Sequence, residues 1–210
     1  MKKTASIFFC VLLSLSVLGG CGAALDVSER LVDVDKKGRV TYYDIYNFDK
    51  TYYQEEELET SLNEMCESYN AEHGSGSAKI ESFAVEDEKA KFCVSYKSAG
   101  DFSDMTGMAL YQGKVVNALA EGYDFDIGFQ KVEDGVKTGT ATKQDIYGEG
   151  DLKVVIIKAN VNVRVAGDIC YVSDENVEVT AKDQVSIREA DGTEEPKEPK
   201  TEKETYIVYQ

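Results

Sequence analysis

The sequence predicts an α+β domain, with one long helix packed on a curved, mostly antiparallel sheet and additional short hairpins. Three observations predict it. Residues 51–72 repeat apolar side chains at helical spacing. Most of the remaining chain breaks into short runs of β-branched and aromatic residues. Those runs tend to come in pairs joined by Gly, Asp or Asn turns, the mark of hairpins. With 210 residues, of which 42% are hydrophobic and 10% aromatic, the chain has enough apolar surface for a single domain with a tail.

The chain opens on Met1-Lys2-Lys3, followed by an apolar run over residues 7–18 (IFFCVLLSLSVL). A spanning helix needs roughly 20 apolar residues, so this run has the length of a signal h-region. It ends in Leu18-Gly19-Gly20-Cys21, which resembles the lipobox of bacterial lipoprotein signal peptides. The resemblance implies that residues 1–20 are an export signal and that Cys21 is the lipidated first residue of the mature chain. A thiol can form a thioether to diacylglycerol, and two acyl chains anchor stably where one does not. The chain is then expected at the cell membrane, lipid-anchored on its extracytoplasmic face. The competing reading is an ordinary secretory signal with Cys after the cleavage site. Cys10 lies inside the h-region and is discarded with it.

Residues 21–30 read as a lipidated tether, and nine residues reach at most about 30 Å. Residues 31–188 are assigned to one domain. Residues 31–34 lead through Asp35-Lys36-Lys37-Gly38 into 39–48, a hairpin whose Gly38 suits a positive φ. In the 51–72 helix, Thr51 and Gln54 have capping-box spacing, and Glu55, Glu56 and Glu57 favour the N-terminal dipole. Leu58, Leu62, Met65, Cys66 and Tyr69 give its apolar face. Residues 79–85 and 90–97 form a strand pair in which Phe92, Val94 and Tyr96 alternate with Lys91, Cys93 and Ser95. A turn or one helical turn at 101–107, a strand at 108–111 and a short helix at 115–121 follow. The stretches 124–132 and 136–142 make another hairpin. Residues 152–157 (LKVVII) are apolar enough for a central strand, and 161–165, 168–173, 176–180 and 184–187 are short strands. Residues 189–210 read as a charged linker closed by an edge strand at 206–209. This succession is similar to small uncharacterised lipoproteins of Gram-positive anaerobes, a family that implies no particular activity.

The formal charge is −16, and removing Lys2 and Lys3 leaves 21 basic against 39 acidic residues. Nucleic acid is excluded as a partner, because phosphate binding needs clustered Lys and Arg. Electrostatic adhesion to anionic lipid is disfavoured for the same reason, so the covalent anchor must hold the chain to its membrane.

No catalytic, metal or cofactor site is predicted. Asp33, Asp35, Gly38 and Val40 fall on calcium-loop positions with Asp44 at the twelfth, but Lys37 puts an ammonium where an oxygen ligand belongs, so a plain hairpin turn is expected. Cys66, Cys93 and Cys170 have no metal spacing. A Cys66–Cys93 bridge is conceivable in an exported chain, but three small buried hydrophobes is the reading taken. His73 is the one histidine, set in a polar break with no GxSxG elsewhere, so a solvated loop histidine is expected. Paired carboxylates such as Asp124 and Asp126 arise by chance among 39 acids. Tyr42, Tyr43, Tyr46, Tyr52 and Tyr53 cluster before the helix. Period two puts Tyr42 and Tyr46 on one strand face and Tyr43 on the other, so at least one set belongs to the core.

Two functional expectations remain. One is a non-enzymatic module of the cell envelope that binds a protein, peptide or glycan. The other is a carboxylate-based hydrolase of cell-wall or extracellular polymer, which would need two facing, buried carboxylates in a concave pocket.

Overall fold

The computed structural model describes residues 28–188 and 199–210. Residues 1–20, expected to be an export signal, Cys21, most of the expected tether and the greater part of the charged linker lie outside the described residues.

The predicted α+β architecture is corrected to a mostly β one. Among the described residues there are 13 strands in two sheets and four helices, with 46% of those residues in strands and 23% in helices. The first sheet holds β1 (Leu31–Val34), β2 (Val40–Asn47), β3 (Ala78–Glu86), β4 (Lys89–Tyr96), β9 (Asn162–Val165), β11 (Val177–Ala181) and β12 (Gln184–Ile187). Its order is β11-β12-β9-β1-β2-β4-β3. The second holds β5 (Leu110–Lys114), β6 (Phe129–Glu133), β7 (Val136–Ala141), β8 (Lys153–Ala159), β10 (Ile169–Ser173) and β13 (Lys200–Tyr209), in the order β5-β8-β13-β10-β6-β7. The pairing of β1 with β9 is parallel and the other pairings are antiparallel.

The main core lies between the sheets. Val32, Val34, Val163, Val165, Val185 and Ile187 from the first meet Val155, Ile157, Val172, Ile207 and Tyr209 from the second. A second core forms on the outer face of the second sheet, where Val154, Ile156, Tyr171 and Val208 are covered by α3 (Val115–Ala120), α4 (Lys143–Gly148) and Phe125. The layers are therefore sheet, sheet and a cap of short helices.

The predicted helix forms as α1 (Glu55–His73), but it does not cover a sheet. Of its 19 residues only Leu62 and Cys66 are buried. Seven glutamates leave it little apolar surface to trade against a sheet, so the sheets cover each other instead. It starts later than predicted, because Thr51 falls in a turn and Gln54 is an N-cap without a side-chain hydrogen bond. Asn70 fixes its far end to β3, accepting the Ala78 N–H at 2.9 Å and donating to the Ala78 carbonyl at 2.8 Å.

Other elements differ in detail. The predicted turn after β4 is a full helix, α2 (Ala99–Thr106), capped by Ser98 and ended by Gly107 in the left-handed conformation. The last strand, β13, is not at an edge, since it pairs with both β8 and β10. The 31–48 hairpin forms with Gly38 at φ +79°.

Candidate functional site

On β2, period two points Tyr42, Asp44 and Tyr46 to one face and Tyr43 to the other. Tyr42 joins the main core, whereas Tyr43 packs with Leu31 and Cys93 on the outer face of the first sheet. On β4, Val94 stands opposite Tyr42 and Phe92 opposite Asp44. Here, at the β2–β4 end, α1 leans over the sheet with Leu58, Leu62, Met65 and Cys66. The end of α2 adds Met105 and Thr106, Met108 follows, and Pro199 and Lys200 close another side. Between them lies a cleft of about 860 Å³, within the size range of small-molecule sites.

Its walls are mostly aromatic and aliphatic. Tyr46 stacks on Phe92 with centroids 5.8 Å apart and planes 12° apart. Phe48, Tyr53 and Tyr52 follow one another at 5.1 and 5.0 Å. Among the described residues seven large apolar side chains are exposed, and Tyr46, Tyr52, Tyr53 and Met65 all line this cleft. Exposed apolar groups gathered in one concavity mark a binding surface more than scattered ones do.

One ion pair sits in the wall. Asp44, 4% exposed, accepts the Arg30 Nε–H at 2.7 Å and the Ile45 N–H at 2.9 Å, both on Oδ1. Burial works against the Arg30 charge, but the hydrogen bond and the charge of Asp44 outweigh it and raise the guanidinium pKa. The same guanidinium lies over the Tyr46 ring, 5.1 Å from its centroid. The Tyr42 hydroxyl is buried near Asp44 yet makes no hydrogen bond of normal geometry. Burial, then the charge of Asp44, push its pKa far above the usual tyrosine value. Burial also raises the Cys66 thiol, which keeps it protonated and poorly nucleophilic.

The other weighed residues lie elsewhere. Asp33 accepts two hydrogen bonds from Arg164 and ties β1 to β9, and Asp35 takes the Lys37 and Arg39 N–H groups within its turn, so both serve the sheet. Among the described residues no cluster of His, Cys, Asp and Glu could hold a metal ion. Cys66 and Cys93 lie on opposite faces of the first sheet and form no bridge, and Cys170 is half-buried in the second. His73 is exposed at the end of α1, stacked on Tyr69 at 4.0 Å. Asp124 and Asp126 are exposed on a loop, with Asp126 paired to Lys143 at 3.0 Å. Cys21 lies outside the described residues.

Sequence reasoning placed Tyr42 and Tyr46 on one face but passed over Asp44 as a site residue, except as a calcium position. The signal was present, since the same period puts a carboxylate between two tyrosines on one strand face. Arg30 falls in the predicted tether, yet its side chain pairs with Asp44 and covers Tyr46, both of which line the cleft. A hydrolase would need two carboxylates facing across the cleft. The cleft presents Asp44, tied to Arg30, and the exposed Glu57. No family model matches the chain, and no curated protein or solved structure matches it.

Proposed function

We propose that this protein is a non-enzymatic binding module of the cell envelope, moored through lipid on Cys21 to the extracytoplasmic face of the membrane, and that the aromatic cleft is its binding site. The cleft carries the reading. It combines a ligand-sized volume, exposed tyrosines and methionine that no other described residue buries, and, among the described residues, a lining without an activated nucleophile. The tether supports it. Glu29 accepts hydrogen bonds from Asn162 and Arg188 at 2.8 Å, and the Arg30 carbonyl accepts the Asn162 N–H at 3.1 Å. The chain is thus fastened to the domain beside β9 and β12. The nine residues after Cys21 put Arg30, whose side chain reaches Asp44, within about 30 Å of the anchor.

The test is titration with the neutral fluorescent probe N-phenyl-1-naphthylamine. One saturable site per chain is expected, weakened at least tenfold in Met65→Asp, a change at a half-exposed position that leaves the fold intact. Unsaturable binding, or binding unchanged in that variant, overturns the assignment. Mass spectrometry of the native protein checks the anchor, with a diacylated Cys21 as the expected first residue.

A further inference from the structure

We infer that the cleft takes an amphipathic organic cation, its apolar body inside and an ammonium or guanidinium group among the aromatic rings at the mouth. The inference rests on the cleft being the binding site and names the class of its ligand.

The interior suits the apolar body. Leu58, Leu62, Val94, Met105 and Met108 line it, and methionine adapts to irregular shapes. The mouth suits a cation. Phe48, Tyr52 and Tyr53 line it beside Tyr46, and the quadrupole of an aromatic face attracts positive charge. The protein already makes one such contact, with Arg30 over Tyr46.

Charge decides between cation and anion. The charged side chains of the lining are Asp44, Glu57 and Lys200, with Arg30, outside the lining, paired to Asp44. Beyond the lining, the N-terminal end of α1 adds Glu55, Glu56 and Glu59, and the whole helix carries seven glutamates without a single Lys or Arg. A cation approaching the mouth is drawn in and an anion repelled, and because these glutamates are solvated the preference is screened by salt.

The Tyr42 hydroxyl points to a ligand independently. It belongs to a residue only 3% exposed, lines the cleft and, beside Asp44, makes no hydrogen bond of normal geometry. Such a group is costly to bury, and a polar atom of a bound molecule would satisfy it.

The experiment compares three probes sharing a phenylbutyl body: 4-phenylbutylamine, 4-phenylbutanol and 4-phenylbutyrate. The protein is the chain lacking residues 1–21, which retains every described element. Calorimetric titration at low salt is expected to give the amine at least tenfold tighter binding than the alcohol, with the carboxylate weakest. The preference should shrink below threefold in 0.5 M salt and in the triple variant Glu56→Gln, Glu57→Gln, Glu64→Gln, all exposed positions. Equal affinity for amine and alcohol overturns the inference and leaves the cleft assignment standing. So does binding by none of the three while the naphthylamine probe still binds. If neither the series nor that probe binds, both readings fall.

Discussion

The inner face of the first sheet has two halves that follow the same strand rules and end differently. Under β1, β9 and β12 it carries Val32, Val34, Val163, Val165 and Val185, each at most 2% exposed, because the second sheet lies directly over them. Under β2 and β4 the same face carries Tyr42, Asp44, Tyr46 and Phe92, and there a glutamate-rich helix leans across instead. A sheet offers a continuous apolar partner, so β-branched side chains interlock and the space closes dry. A helix with two buried residues cannot fill the same gap. The uncovered half therefore keeps a cavity, half-exposed rings and an ion pair. One sheet thus supplies both the stability of the domain and a concavity for a ligand.

The largest test of this contrast is alkaline pH. Burial raises Tyr42 and Tyr96 on the cleft half, and Tyr171 and Tyr206 in the second core, above the ordinary tyrosine value. Their folded pKa values exceed the unfolded ones, so their contribution is full below about pH 10 and is lost as pH rises beyond it. Cooperative unfolding above about pH 11, followed by circular dichroism together with tyrosinate absorbance, is expected. Tyrosine ionisation that completes while the sheet signal persists would contradict the burial. In the dry half, Ile157→Ala leaves a cavity between the sheets and should cost about 3 kcal/mol in urea unfolding. On the cleft side, Arg30→Ala strands the Asp44 carboxylate and should cost about 2–3 kcal/mol at pH 7. Tyr42→Phe removes a buried hydroxyl that lacks a partner and should raise stability by up to about 1 kcal/mol. The matching change at Tyr209, whose hydroxyl accepts from Gln112 at 3.3 Å, should give no gain. Met65→Ala is the smallest, about 0.5 kcal/mol or less on stability, because the side chain is 49% exposed.

Local patterns were legible where one element answers to its own period. The alternation of Phe92, Val94 and Tyr96, the Gly38 turn and the run that became α1 all report themselves through neighbours in the chain. The Thr142–Asp145 capping box that starts α4 was equally local and went unread. What stayed hidden is set by partners far apart in sequence. The strand β13 looked like an edge because nothing near it shows that β8 and β10 will flank it on both sides. Asp44 looked like one acid among 39, since its partner Arg30 sits beyond a hairpin turn in a stretch that reads as tether.

The residues alone determined the charge balance, the short apolar run that precedes Cys21, the period of each strand and the acidity of α1, because each is a property of composition or of adjacent positions. Only the tertiary structure decided that the sheets would cover each other rather than the helix, and that the tyrosines of β2 would divide between core and cleft. Burial depends on which surface arrives opposite, and a single chain position does not carry that information.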